Sequence, residues 1–368
     1  MKRHSRETAD FGKIIGIMGS FAAWIMGSGF ATGQEILQFF TSYGMISMLM
    51  ILVNFAAFLI LGNAILKSGL DFKEDPDFRM PEYFCGRKLG AFYNWEIPLC
   101  SYIALIVLIS GAGATLHEYY GLSNVVGSLL IIVAAYIAYI AGLQRFMKAI
   151  SFIGPTIIAF VLIVGVITCL RDTSHLSEIG QYQDIMSRRQ PAPFWWISMI
   201  LYFCYNMTGG SLYYTAVGST AETHREIRYG VFLGAASLCF AIFLMNTAML
   251  SNIAHTGTAA IPTLYLARKI SYVFGAVFSV ILLLGIFSTS SMMLWTISSK
   301  FADQGTKKGL LVATIFAVTA FLLGLLPFTD LVHTLYPYLA YVDLPFIFCV
   351  FRKAFLNSRK RTGETERA

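Results

Sequence analysis

Long apolar segments restrict the folds that this chain of 368 residues can adopt. A helix of about 20 apolar residues crosses the hydrocarbon layer of a bilayer, and the sequence contains ten segments of roughly that length or longer. Hydrophobic residues make up 57% of the chain and charged residues only 13%, a balance that soluble domains rarely have. We therefore predict an all-α integral membrane protein whose ten transmembrane segments have the approximate limits 12–40, 44–66, 94–117, 124–142, 149–170, 194–220, 230–252, 271–300, 308–326 and 330–351.

Positive charges are distributed unevenly between the two sides of this predicted topology. If the N-terminus is cytoplasmic, 22 of the 27 lysine and arginine residues lie in cytoplasmic segments, as the positive-inside rule requires. Both terminal regions, residues 1–11 and 352–368, are thus predicted to be cytoplasmic, in a multi-pass protein of the plasma membrane. This topology accounts for the net charge of +7, so the charge does not indicate a nucleic-acid partner.

The ten segments divide into two blocks of five. Residues 12–170 hold segments 1–5, residues 194–351 hold segments 6–10, and an extracellular loop of residues 171–193 joins the blocks. Because each block has an odd number of segments, the second enters the membrane with inverted orientation, and we predict a five-plus-five inverted repeat. A short surface helix is expected in the cytoplasmic loop 67–93, and a hairpin or short helix in the outer connection 251–270.

Glycines interrupt two of the segments. The first contains IMGSGFATGQEIL at 25–37 and the sixth contains YNMTGGSLYY at 205–214. Such glycines can serve only close helix packing, but two interruptions at corresponding positions of inverted halves indicate a transporter's binding site. We therefore predict that helices 1 and 6 are discontinuous, with an unwound Gly27–Gly29 and a second helix beginning near Thr32. The predicted substrate-binding residues at the two interruptions are Gly27, Ser28, Gly29, Thr208, Gly209, Gly210 and Ser211.

Broken helices can bind charged groups with few charged side chains. The N-terminus of a half-helix offers free N–H groups and positive partial charge, which suit a carboxylate. The C-terminus of a half-helix offers carbonyl oxygens, which suit a cation. One site can therefore bind a zwitterion and a sodium ion.

Two acidic residues within the apolar segments are candidates for coupling or gating. Glu35 stands three positions after Thr32, which matches a capping box, but a role in the permeation path for a proton or a cationic group is also open. Asp343 lies inside segment 10, two residues before Pro345, and either forms a buried structural hydrogen bond or acts in gating. Glu96, Glu118 and His333 are interpreted as interfacial, because they lie near segment ends.

Segment 8 and the aromatic residues complete the candidate site. Four consecutive hydroxyls, Ser288 to Ser291, stand within LLLGIFSTSSMMLW at 282–295. They can bond back to their own helix, or they can supply the oxygen ligands that a hard cation prefers. Tyr102 and Phe203 are expected either to wall the substrate cavity or to pack in the core.

The sequence offers nothing that indicates an enzyme. It has no arrangement of nucleophile and base, no phosphate-binding loop and no metal-ligand spacing, so we predict no catalytic residue and no cofactor. The six cysteines lie mostly inside apolar segments and are interpreted as buried thiols. The expected partners are the bilayer, a small solute and a coupling ion.

The pattern of ten segments with glycine breaks in the first and sixth resembles the amino acid–polyamine–organocation superfamily, with the fold typified by the bacterial leucine transporter. More narrowly, GSGFATGQEILQFF resembles the YkvI-like family of bacterial membrane proteins. The superfamily resemblance implies that a bundle of segments 1, 2, 6 and 7 rocks against a scaffold of the others. It also implies a sodium site formed by carbonyl oxygens of Ala23, Met26 and Ile286 and hydroxyls of Thr289 and Ser290.

The resemblance also has departures. Phe30 stands where the leucine transporter has an asparagine, which argues against a second sodium site. The core of segment 5 has no lysine of the kind that some proton-driven relatives use, which favours sodium over protons. We therefore predict a sodium-coupled transporter of an amino acid or similar zwitterion. The alternatives are a proton-coupled transporter and a sensor that keeps the fold and binds without transport.

Overall fold

The computed structural model describes residues 10–141 and 147–365. This part of the chain contains no β-strand. It forms sixteen α-helices, which are α1 Phe11–Ile25, α2 Ser28–Thr32, α3 Gln34–Phe39, α4 Ser47–Asp71, α5 Met80–Tyr120, α6 Asn124–Ala141, α7 Met147–Asp172, α8 Gln183–Ser187, α9 Trp195–Gly209, α10 Ser211–Ser219, α11 His224–Leu250, α12 Ile253–Thr256, α13 Pro262–Ile270, α14 Tyr272–Ser299, α15 Lys307–Leu323 and α16 Phe328–Thr365.

Several of these helices are built to cross a membrane. Within the described ranges, six helical stretches are long and apolar enough to do so alone, and α15 with the following Phe328–Asn357 passes the same test as a pair bent by 116°. Large apolar side chains cover the outer surface, for example Leu52, Phe240 and Phe348, which are 65%, 57% and 69% exposed. Such a surface is stable against lipid rather than water. The protein is therefore a multi-pass membrane protein, while the number ten and the repeat boundaries stay predictions.

The first predicted segment is divided twice rather than once. Helix α1 ends at Ile25, Gly27 has an extended backbone (φ −70°, ψ −166°), and α2 begins directly at Ser28. The second division is at Gly33, where φ is +85° and a Cβ atom would lie 2.6 Å from Thr263 Oγ1. Only glycine fits such a position without strain. The expected unwound stretch Gly27–Gly29 is thus wrong in its extent, because Gly29 already lies in α2.

The sixth predicted segment is interrupted at a single residue. Helix α9 ends at Gly209, α10 begins at Ser211, and Gly210 between them keeps right-handed helical angles (φ −82°, ψ −7°). The Tyr214 N–H donates to the Gly210 carbonyl at 2.8 Å. Few backbone groups are therefore freed here, and the first segment carries the larger break.

One of the two predicted connections differs from the structure. The expected surface helix in 67–93 is continuous with α5, which begins at Met80 and bends at Gly86, where φ is +75°. The outer connection 251–270 contains the short helices α12 and α13, as expected.

Long helices pack around the break in the first segment. Helix α1 packs along α11, α10 along α4, and α16 against α9 and α5, while α2 contacts α14. The gap between α1 and α2 therefore faces α5, α9, α14 and α16, and this arrangement positions the site.

Candidate functional site

A cavity lies where the break between α1 and α2 meets the scaffold helices. It holds about 710 Å³ of empty space, part of which is open to solvent. Residues from seven helices and the glycine break line it: Trp24, Ile25, Gly27, Gly29, Phe30, Glu35, Cys100, Ser101, Ala104, Leu108, Tyr205, Asn206, Gly209, Thr289, Met293, Tyr336 and Asp343.

The charge of this cavity wall is one-sided. It includes the carboxyl groups of Glu35 and Asp343 but no lysine, arginine or histidine side chain among the lining residues that the structure describes. Glu35 is 5% exposed and Asp343 is 1% exposed, and neither Glu35 Oε2 nor Asp343 Oδ1 has a hydrogen-bond partner within the described residues. Burying an unpaired charge is costly. Each group is therefore stable as a neutral acid or beside a bound cation.

Glu35 does not form the predicted capping box. The Thr32 hydroxyl donates to the Gly29 carbonyl at 2.6 Å and accepts from the Gln34 N–H at 3.3 Å. Gly33, in a left-handed conformation, takes the N-cap position of α3, which has no side-chain cap. Gly33 separates α2 from α3. The Glu35 carboxyl points at Gly29 on the cavity wall and not at the N-terminus of α3.

Aromatic rings form the opposite chemical surface of the cavity. Tyr205 and Tyr336 stack with ring centroids 4.6 Å apart, and Trp24 stacks on Tyr213 at 5.3 Å. Tyr336 is 2% exposed. Aromatic faces attract cations and cover apolar groups. An amino group with an attached carbon skeleton would therefore find both a carboxyl group and ring faces here.

The predicted residues around the second break separate into two groups. Gly209 lines the cavity, whereas Gly210 packs on Trp24 and Tyr214 outside it. Thr208 is buried with its hydroxyl facing the Asp343 carboxyl, and Ser211 donates to the Thr208 carbonyl at 2.6 Å. In the first break, Gly27 and Gly29 line the cavity, while the side chain of Ser28 lies outside the described residues.

Gly209 and Gly210 give a stability prediction. At Gly210 a Cβ atom would lie 2.6 Å from Tyr214 and 2.7 Å from Trp24, whereas at Gly209 it would meet nothing within 4 Å. We expect Gly210→Val to lower the free energy of unfolding by roughly 1–3 kcal/mol through overpacking. Gly209→Ala, its matched control, should be neutral or stabilising by up to about 1 kcal/mol. Thermal unfolding in detergent measures both, and equal stabilities of the two variants would contradict the assigned packing.

Tyr102 and Phe203 lie away from the cavity. The Tyr102 hydroxyl contacts Thr319 Oγ1 at 2.6 Å, and the Phe203 ring packs near Phe351 at 6.2 Å between centroids. On α5 the cavity-facing positions include Cys100, Ser101 and Ala104, and on α9 they include Tyr205, Asn206 and Gly209. The helical phase therefore turns both predicted aromatic residues towards other helices, and their expected place on the cavity wall is corrected.

The predicted sodium ligands lie at the C-terminal end of α1 and along α14. Thr289 lines the cavity and donates to the Gly285 carbonyl at 3.1 Å. The Ser290 hydroxyl is buried and has no hydrogen-bond partner in the described part of the chain. Ile286 is buried one turn before Ser290, and Met26, which ends α1, donates its N–H to the Ala22 carbonyl at 2.8 Å. The Ala23 carbonyl lies at the α1 break, 4.0 Å from where a Cβ of Gly27 would stand.

Sequence reasoning missed part of the wall and misplaced one acid. Cys100, Ser101 and Tyr336 were not expected at the site, because nothing in an apolar helix marks which face is inward. Glu96 is 6% exposed and interior rather than interfacial, since α5 begins at Met80 and not at residue 94. Glu118 accepts from the Ile261 N–H at 2.7 Å near the C-terminal end of α5. His333 contacts the Gln190 carbonyl at 3.2 Å near the start of α16.

Comparison with known proteins identifies the fold. No family model matches the chain. It is 24% identical over 336 residues to "Uncharacterized membrane protein YkvI" of Bacillus subtilis (strain 168), covering 89% of this chain and 92% of that protein. This similarity confirms the predicted resemblance to YkvI-like membrane proteins.

Two solved structures share the architecture over nearly the whole chain. The substrate-bound, outward-open Na+-coupled sialic acid symporter has a TM-score of 0.51 and 14% identity, over 92% of this chain and 84% of that chain. A mutant of the Eremococcus coleocola manganese transporter has a TM-score of 0.50 and 12% identity, over 95% of this chain and 81% of that chain. The predicted all-α transporter fold is therefore confirmed, and the structures that share it are transporters rather than enzymes.

Proposed function

We propose that this protein is a secondary transporter of a small organic solute with an amino group, such as an amino acid or a similar zwitterion, which works by sodium-coupled alternating access. One observation carries the proposal: the break between α1 and α2 opens on a cavity that contains the buried Glu35, whose Oε2 atom has no hydrogen-bond partner within the described residues. The shared transporter fold supports the same function.

The solute would be bound by three kinds of group. Its amino group would pair with the Glu35 carboxylate, which is one of the two carboxyl groups on the cavity wall. Its carboxylate would accept from the N–H groups of Gly29 and Phe30, which lie in the first turn of α2 and have no intrahelical acceptor. The Tyr205 and Tyr336 rings would cover its carbon skeleton.

Sodium would bind beside the solute, at the end of α1. The Ser290 and Thr289 hydroxyls and the carbonyl oxygens of Ala23, Met26 and Ile286 would supply a set of oxygen ligands, which hard cations prefer. The buried Ser290 hydroxyl supports this proposal, since a buried polar atom without a partner is unusual in a stable fold.

The sodium proposal gives a second prediction. Thr289→Val combined with Ser290→Ala should abolish the sodium dependence of solute binding, because both hydroxyl ligands are lost. Ser291→Ala is the matched control, since Ser291 is the adjacent buried serine of the same helix, does not line the cavity and is not among the proposed ligands. The measurement is the solute-induced shift in Tm in sodium and in potassium buffer. A sodium effect that survives the double substitution would refute this ion site.

The experiment that tests the proposed function is a ligand panel followed by counterflow. Amino acids and other small amines are screened by Tm, where a ligand at about 100 times its Kd contributes about 2.7 kcal/mol. The solute that binds is then loaded into liposomes carrying the protein. Exchange of labelled solute supports transport, whereas binding without exchange indicates a sensor and overturns the proposal.

One observation supports the proton as an alternative coupling ion. The buried carboxyl groups of Glu35 and Asp343 on the cavity wall can each carry a proton. If solute uptake responds to a pH gradient and not to sodium, the protein is a proton-coupled transporter with the same cavity.

We also propose a topology with both termini in the cytoplasm of the producing cell and the protein in its plasma membrane. The asymmetry of lysine and arginine supports this orientation. Labelling of a cysteine introduced at the exposed outer position Glu178 by a membrane-impermeant reagent on whole cells tests it. Labelling only after lysis would indicate the opposite orientation and contradict this topology.

A further inference from the structure

Three potential metal ligands meet at one side of the cavity. Within the described residues, Glu96, Cys100 and Asp343 form the one group of three or more such side chains whose donor atoms all lie within 4.8 Å of one another. All three are buried, with 6%, 7% and 1% of the side chain exposed. We call these residues the Glu96–Cys100–Asp343 cluster.

One oxygen atom of each carboxyl group in the cluster has no hydrogen-bond partner within the described residues. The Cys100 thiol donates to Glu96 Oε1 at 2.5 Å, but Glu96 Oε2 and Asp343 Oδ1 have no partner within the described residues. Thr208 on α9 is fully buried, and the Asp343 carboxyl is the polar group that its hydroxyl faces. Two carboxyl groups, a thiol and a hydroxyl thus converge, and one oxygen of each carboxyl group has no protein partner within the described residues.

The local sequence holds these groups in position. Glu96 and Cys100 are four residues apart on α5 and therefore share one face of the helix. The Tyr93 hydroxyl donates to the Val342 carbonyl at 2.8 Å and accepts from the Phe346 N–H at 3.2 Å, which fixes α16 against α5 beside Asp343. The ligands therefore come from packed helices rather than from mobile loops, as a preorganised site requires.

The chemistry of the donor set selects the type of ion. Two carboxylates and a thiolate together carry three negative charges, and no basic side chain lines the adjoining cavity in the described part of the chain. Thiolate with carboxylate suits a borderline divalent ion, whereas alkali and alkaline-earth ions prefer oxygen alone. We propose that the Glu96–Cys100–Asp343 cluster binds a divalent transition-metal ion of the class of Zn²⁺ or Co²⁺, with the Thr208 hydroxyl beside it.

The ion would reach the cluster through the cavity. Cys100 and Asp343 line the cavity wall, whereas Glu96 does not. Three protein ligands leave one position of a tetrahedral ion open, and that position would face the cavity. Binding releases the thiol and carboxyl protons, because these ligands coordinate as anions.

Cobalt alone is the probe that tests this site, with no transport assay. The purified full-length protein, stripped with a chelator, is titrated with Co²⁺ while the thiolate-to-cobalt absorption band is recorded. We expect one equivalent to bind and Cys100→Ser to abolish the band. Glu96→Gln and Asp343→Asn should each weaken binding at least about tenfold, since even outer ligand partners change metal affinity by roughly 10- to 100-fold.

Two controls separate this site from other thiols. Cys239→Ser is the matched control, because Cys239 is buried to the same extent, 7%, on α11. The double change Cys85→Ser with Cys349→Ser removes the neighbouring thiol pair on α5 and α16. Both should keep the band.

Three results would overturn the proposal: no band in the unmodified protein, a band that survives Cys100→Ser, or a band lost with either control. If Cys100→Ser does not fold, X-ray absorption of the cobalt-loaded native protein decides, since it must show one sulfur ligand. A folded protein that binds no Co²⁺ would leave the cluster as a group of carboxyls that share protons. Failure of transport would not affect this result, because binding is measured directly.

Discussion

Replacing Glu35 with glutamine is expected to weaken solute binding by roughly a hundredfold or more. Glutamine keeps the size of the side chain but removes the charge that would pair with the solute's amino group. Breaking one partner of a buried ion pair costs about 3–5 kcal/mol, and each 1.4 kcal/mol is a factor of about ten in affinity. The measurement is the concentration dependence of the solute-induced Tm shift, with counterflow as the functional readout.

Glu118→Gln is the matched control for this change. Glu118 lies on α5 outside the cavity, where it accepts from the Ile261 N–H at 2.7 Å. Its replacement should leave the solute affinity within about threefold. If Glu35→Gln binds the solute as tightly as the native protein, the amino group does not pair with Glu35, and the proposed mode of binding is wrong.

Gly29→Leu is expected to abolish detectable solute binding while the protein still folds. A Cβ at Gly29 would be placed on the Glu35 carboxyl and 3.7 Å from the Tyr336 hydroxyl, so a leucine side chain would occupy the space between them. Filling a packed site costs about 1–3 kcal/mol, and here the solute would also lose its place. We expect the affinity to fall by at least about a hundredfold, measured by the same Tm titration.

Gly19→Leu controls for a larger residue in the same predicted segment. A Cβ at Gly19 would meet nothing within 4 Å, and the residue is exposed on α1. This variant should bind the solute normally. Unchanged binding by Gly29→Leu would remove the break in the first segment from the binding site and with it the main support for the proposed function.

Much of the architecture follows from the sequence, for reasons that are local. Apolar stretches long enough to cross a bilayer must be helical there, since lipid offers no partner for backbone polar groups. Each of the ten predicted segments accordingly coincides with one or more of the described helices. Interruptions were also predicted at 27–29 and 208–211, because glycine weakens a helix and the two glycine clusters occupy corresponding positions of the two halves.

The details of the breaks were not predictable to the same degree. Gly33 has the left-handed backbone, with φ +85°, and Met249 and Thr263 pack against it from α11 and α13. Gly210 keeps a helical backbone and instead allows Trp24 to approach. The sequence contains the same residue type in both places, and contacts from distant segments decide what each glycine does.

The remaining residues of the cavity wall and their grouping were decided by the tertiary structure. Sequence order does not bring Glu96 and Cys100 to Asp343; the packing of α5 on α16 does. The same packing turns Ser101 inward and Tyr102 towards Thr319. In a soluble protein the hydrophobic face of a helix shows which side is buried. A membrane helix is apolar towards lipid and towards its neighbours alike, so its sequence determines that it crosses the bilayer, and only its contacts with other helices determine which residues face the cavity.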